Sequence, residues 1–185
     1  EGCAQSHRIR ARALELRLHG KALVNPSLDS RVDVKRGAET MEGVSLIGTT
    51  EKQSLFSSAQ PQSGRFLMPF DLASKRSVCV IGSDIRDNLF KGVDPLHRTL
   101  KLGRNEFRVI GVMEKQGGSF LGGPNFDRQV FIPITTYVRT FGGRRGHADV
   151  NIAVKAPSQE AMADLEYMVI GEMRKVRGLR PAEPD

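Results

Sequence analysis

The chain has 185 residues, 39% hydrophobic and 26% charged, ordinary proportions for a globular protein of one large or two small domains, and they exclude disorder except at the ends. Such a length can bury about 70% of the unfolded surface in a core. A net charge of +7 invites a polyanion, but the basic residues are interleaved with acids, aromatics are 6%, and no RNP-like, KH-like or zinc-finger pattern occurs, so a solvated surface is favoured over nucleic acid.

From the amino terminus, Ser6 reads as the N-cap of an amphipathic surface helix to about His19, with Ile9, Ala13 and Leu16 on one face and Gly20 as its stop. The pattern then changes to short strands. Val32 and Val34 alternate within Arg31 to Arg36, Gly37 to Glu39 is a turn, and Val44 to Thr50 returns, which predicts a hairpin. The segment Ser57 to Ser63, rich in Ser, Gln and Pro, reads as a linker.

Beyond it, strands are predicted at Ser77 to Ile81, Thr99 to Leu102, Phe107 to Met113 and Gln129 to Ile132, with helices at Ser83 to Phe90 and Thr135 to Phe141. Arg104 and Asn105, beside Gly103, suit a hairpin turn. Near the carboxyl end Val150, Ile152 and Val154 alternate. Pro157 and Ser158 then open a helix whose apolar face is Met162, Leu165, Val169, Met173 and Val176, with Gly178 beyond it. The pattern is α+β: an outer unit of residues 1–56 and 147–185, and an inserted small α/β unit of residues 64–141.

The ordered set Gly48-Thr49-Thr50, Gly64-Arg65-Phe66, Asp71, Val78-Cys79-Val80-Ile81-Gly82, Leu89-Phe90, Asp94-Pro95, Val109-Ile110-Gly111-Val112 and Val130-Phe131-Ile132-Pro133 resembles the MacB-like periplasmic core domain. That domain is the large extracytoplasmic loop of one superfamily of ABC transporter permeases. The resemblance runs from about Val24 to Gly178 and implies a porter-like outer subdomain carrying the inserted one. Two departures stand out. Glu51-Lys52-Gln53-Ser54 replace a Pro and an aromatic after Thr50, and His97 replaces a Gly after Asp94-Pro95-Leu96, so a left-handed turn there would strain His97.

No apolar run approaches the roughly 18 to 20 residues that cross a bilayer, and the first residues lack a secretory signal, so the chain as given reads as soluble. The resemblance places it between two membrane helices outside this sequence, in a periplasmic or extracytoplasmic loop of an inner-membrane protein. It also implies partners: the protein's own membrane helices, a cytoplasmic ATPase domain, a permease dimer, and a periplasmic adaptor, lipoprotein or envelope enzyme. ATP hydrolysis in the cytoplasm would be relayed to periplasmic movement by mechanotransmission. The alternative is a free-standing basic module for an anionic polymer or surface, headgroups of anionic lipid included.

No catalysis is expected from the chain itself. Gly117-Gly118-Ser119-Phe120-Leu121 fails the G-x-S-x-G pattern at its last position, and neither a Walker loop nor G-x-G-x-x-G after a strand occurs, so no cofactor is expected. Cys3 and His7 share an i, i+4 helix face with His19 further on, but without a second pair no metal site is expected; His97 and His147 read as loop residues, and Asp84 and Asp87 as exposed helix carboxylates. Cys79 reads as a buried free thiol, a bridge to Cys3 being disfavoured. The candidate partner site is Gly117, Gly118, Ser119, Phe120, Leu121, Gly122 and Gly123. Its two apolar residues either fold back onto the inserted unit or form an exposed tip.

Overall fold

A computed structural model describes residues 22–57, 59–117, 126–142 and 149–177. In chain order it contains β1 (Leu23–Arg36), β2 (Glu39–Thr49), a 3-10 turn (Glu51–Leu55), β3 (Pro61–Gly64), α1 (Pro69–Ala73), β4 (Val78–Ile81), α2 (Ser83–Leu89), β5 (Thr99–Leu102), β6 (Asn105–Met113), a 3-10 turn (Phe126–Arg128), β7 (Gln129–Pro133), α3 (Ile134–Phe141), β8 (Asp149–Lys155) and α4 (Met162–Arg177). This is a mixed α+β architecture. The predicted amino-terminal helix lies outside the described residues.

The strands pair in the order β2-β7-β4-β6-β5-β1-β8, and β1 also pairs with β2. Six strands, β1, β2, β7, β4, β6 and β5, therefore form a closed ring of pairings. Two seams of the ring are short: Val34↔Leu102 with Lys35↔Lys101, and Val80↔Phe131 with Ile81↔Val130. The β2–β7 and β4–β6 ladders are parallel, and the other four antiparallel.

Side-chain alternation feeds two cores. Val34, Leu46, Cys79, Ile81, Leu100, Leu102, Phe107, Val109, Val130 and Ile132 make one cluster with Ile85 and Leu89 of α2 and Ile134 and Tyr137 of α3. Val78, Val80, Ile110 and Phe131 point the other way and are covered by Ala59, Phe66 and Leu67. Buried on both faces, β4 and β7 have no polar side, which is why Val78-Cys79-Val80-Ile81 is an unbroken apolar run.

The chain divides into two compact units, Ser27–Asn151 and a discontinuous one that joins the residues before Ser27 to those after Asn151. These boundaries differ from the expected 1–56, 64–141 and 147–185. The β1–β2 hairpin shares its core with the middle segment, because β2 runs parallel to β7 from Ser45↔Gln129 to Thr49↔Pro133. Sequence periodicity marks a strand but carries no information about a partner 84 positions away. In the smaller unit, Val24 and Leu165 are buried among Ile152, Val154, Met168, Val169 and Met173, so one face of α4 covers strand residues.

The strands predicted from Ser77 onward and the helices at Ser83 and Thr135 are present within a residue or two, whereas β1 begins at Leu23 and β2 at Glu39, well before the expected Arg31 and Val44, and the helix expected from Ser158 begins at Met162. Ser158 instead accepts the Ala161 N–H through its hydroxyl, at 3.3 Å. The β5–β6 turn is Gly103-Arg104, one residue earlier than expected, since Leu102 pairs with Asn105 and Gly103 carries a positive φ of 59°. Part of the expected linker is β3, which pairs with β6. The Glu51-Lys52-Gln53-Ser54 departure folds as the first 3-10 turn, capped by the Thr50 hydroxyl accepting the Lys52 N–H.

Candidate partner-binding site

Of the candidate loop Gly117 to Gly123, only Gly117 is described; Gly118, Ser119, Phe120, Leu121, Gly122 and Gly123 lie outside the described residues. The entry to the loop is well defined. Asp127, buried at 3% exposure, accepts the Gln116 N–H at 2.7 Å on Oδ1 and the Gly117 N–H at 2.8 Å on Oδ2. A carboxylate that takes two successive amides fixes both their direction and the φ of +77° at Gly117. Sequence reasoning missed Asp127, whose role depends on a pairing across ten residues.

A second ordered cluster lies where Gly64-Arg65-Phe66 meets Asp71. The Asp71 side chain is fully buried and accepts Arg65 Nη1 at 2.6 Å and Nη2 at 3.1 Å, Arg76 Nη1 at 3.4 Å and the Met68 N–H at 3.0 Å. Pro69 begins α1, and Asp71 reaches back to the residue before it, which caps the helix. Both guanidinium groups also lie against the Phe70 ring, at 5.0 and 5.3 Å from its centroid. Gly64 faces Gly111 across the β3–β6 ladder; a Cβ at Gly64 would meet the Ile110 carbonyl at 2.3 Å, and one at Gly111 the Arg65 carbonyl at 2.2 Å. Gly48 is similarly tight, with a Cβ there 2.5 Å from the Cβ of Tyr137. These motif residues hold backbone and helix together.

The remaining candidates are accounted for in turn. Cys79 is a buried free thiol, and burial pushes its pKa well above the ordinary cysteine range. Asp87 is exposed and its pKa is lowered, first by the Arg86 hydrogen bond at 2.8 Å. His97 adopts φ +64°, so the left-handed turn is present without glycine. Cys3, His7, His19 and His147 lie outside the described residues. Among the described residues no group of three His, Cys, Asp or Glu could hold a metal ion, and no helix is long and apolar enough to cross a membrane.

Residues 5–169 match the family model of the MacB-like periplasmic core domain. The chain is 29% identical over 127 residues to the macrolide export ATP-binding/permease protein MacB of Chlorobaculum tepidum, covering 69% of this chain and 19% of that protein. It is 35% identical over 97 residues to the protein of the same name from Azoarcus, covering 52% of this chain and 15% of that one. It thus spans about a fifth or less of the length of these relatives. Among solved structures, the periplasmic region of MacB from Actinobacillus actinomycetemcomitans superposes with a TM-score of 0.79 at 20% identity, over 93% of this chain and 74% of that one. The extracellular domain of the noncanonic ABC-type transporter YknZ from Gram-positive bacteria gives 0.78 at 17% identity, over 94% and 85%. The fold is theirs, and with the family model matched over most of its length, the chain belongs to the MacB-like periplasmic core domain family and is an extracytoplasmic domain of an ABC transporter permease.

Proposed function

We propose that this domain is a moving, non-catalytic part of its transporter. ATP is bound and hydrolysed on a cytoplasmic domain or subunit, the motion passes through the membrane helices of a dimeric permease, and this domain transmits it to a periplasmic adaptor, lipoprotein or envelope enzyme. The observation that carries the reading is the family match from residue 5 to residue 169, beside relatives whose names combine ATP binding with a permease and whose length is mostly outside this segment. The sequence has no phosphate-cradling loop of its own, so the nucleotide chemistry in those names belongs to other parts of such proteins. Within the chain, Gly117 to Gly123 is the contact loop, with Phe120 and Leu121 as its apolar pair. Asp127 supports this role by fixing the backbone from which the loop departs.

The test is photo-crosslinking in cells from position 120 of the complete transporter, with mass spectrometry of the captured species and a parallel strain whose ATPase cannot hydrolyse ATP. Capture of an envelope protein, in a yield that changes when hydrolysis is blocked, is the expected result. Crosslinks confined to the domain would remove the loop from the partner surface, and capture indifferent to hydrolysis would remove the relay.

A further inference from the structure

We propose that a basic cleft on the outer face of β4, β6 and β5 is a receptor for acidic side chains of a protein partner. The cleft has a volume of about 300 Å³, and its walls include Arg76, Ser77, Thr99, Glu106 and Arg108. Strand register builds it. Arg108 of β6 lies opposite Val78 of β4 on one side and Thr99 of β5 on the other, so its exposed side chain rises between the two neighbouring strands. Arg76, which precedes β4, and Arg139 of α3, which donates to the Ser77 hydroxyl at 3.2 Å, bring two further guanidinium groups to the same edge.

The charges here do not cancel. Asp71 is already held by Arg65 at 2.6 and 3.1 Å, and its contact with Arg76 is longer, at 3.4 Å. Glu106 faces Lys101 at 3.7 Å. Arg108 has no ion pair or side-chain hydrogen bond among the described residues, which leaves Arg76, Arg108 and Arg139 as an excess of positive charge around one cleft. Guanidinium forks match carboxylates in geometry, and the Ser77 and Thr99 hydroxyls can donate alongside them.

The occupant follows from shape and from the rim. At about 300 Å³ the cleft sits at the lower limit for ligand pockets and opens to solvent, so it suits a side chain presented by a larger molecule better than a small anion needing enclosure. Arg76 stacks over the ring of Phe70, a residue that is 45% exposed. A peptide carrying carboxylates with an apolar residue next to them would meet both features, whereas free phosphate would use only the first. The inference goes beyond the transporter reading, because an acidic-peptide receptor would exist whether or not ATP moves the domain.

The test is fluorescence anisotropy of a fluorescein-labelled Glu-Glu-Leu repeat peptide with the chain, at rising salt, with thermal melts to confirm folding of each variant. Binding that weakens with salt and drops about tenfold or more in Arg108→Glu is expected. The same charge change at Lys115, beyond the far end of β6, should cost less than about threefold. Equal losses from the two substitutions would show diffuse attraction and overturn the site. Competition by millimolar inorganic phosphate at constant ionic strength would make it a small-oxyanion site, and Arg108-dependent binding to phosphatidylglycerol vesicles without peptide binding would make it a membrane contact; either overturns the proposal.

Discussion

Replacing Asp71 by Ala takes one buried carboxylate away from all of its partners at once, and the loss can be estimated from its surroundings. Arg65 and Arg76 side chains are 34% and 41% exposed, so water can take over part of what the carboxylate supplied. Breaking a fully buried pair costs about 3–5 kcal/mol, and discounting for that exposure leaves about 2 kcal/mol for the arginine contacts. Loss of the helix cap at Met68 adds about 1 kcal/mol, which brings the total to about 3 kcal/mol. With a urea m-value of about 2 kcal/mol/M, the denaturation midpoint should fall by about 1.5 M at unchanged slope. Arg65→Ala should cost about 2 kcal/mol, because it leaves the buried Asp71 carboxylate with only the longer Arg76 contact and the Met68 N–H. The double variant should then fall short of the sum of the two by about 1–2 kcal/mol, since each single change already breaks the shared bond. A midpoint shift below about 0.25 M for Asp71→Ala, or strict additivity with Arg65→Ala, would show that the cluster behaves as an exposed ion pair and refute the reasoning.

Two further outcomes follow from the cores. Gly111→Ala should destabilise by about 1–3 kcal/mol or more, because its Cβ would lie 2.2 Å from the Arg65 carbonyl and only backbone movement relieves the clash; an unchanged urea midpoint would contradict the close approach. The Cys79 thiol stays protonated in the fold while an unfolded cysteine ionises near about pH 8.5, so the native state binds more protons above that pH. Stability should therefore be complete below pH 8.5 and fall with a slope approaching about 1.4 kcal/mol per pH unit above it, a component that Cys79→Ala should abolish in urea melts taken across alkaline pH.

Much of the fold was legible because its signals are local. Val32 and Val34, Phe107 and Val109, and Ile85 and Leu89 fall at strand or helix spacing, and the structure buries most of them. What escaped was nonlocal or short. Pro61–Gly64 is polar, and it counts as a strand only because Pro61, Ser63 and Gly64 pair with Met113, Val112 and Gly111 of β6. Likewise Pro69–Ala73 is too short to show a period, and its signals, Pro69 at the first turn with Asp71 as cap, are turn chemistry as much as helix chemistry. Closure of the strand ring, and with it the placement of the β1–β2 hairpin, depends on β2 meeting β7, about which neither strand says anything by itself. His97 is the opposite case: a residue out of keeping with the family pattern pointed to a left-handed backbone, and φ is +64° there.

The residues that carried the family resemblance prove to be those with the least freedom to act on a partner. Gly64 and Gly111 are spent on a backbone approach, Arg65 and Asp71 on each other, and Gly48 on the Tyr137 ring. A motif of this kind reports a fold, since any chain that closes these strands must solve the same steric problem. What differs among partners must then reside where packing imposes no residue type. In this chain the exposed faces of β6 and β5 meet that condition, because Arg108 and Thr99 could be exchanged for many residues without disturbing Phe107 or Leu100 beneath them. Arg76 reaches Asp71 and stacks on Phe70, and Arg139 donates to Ser77, but Arg108 has no such contact among the described residues, and the negative charge of an acidic partner is the account of it that the proposed receptor supplies.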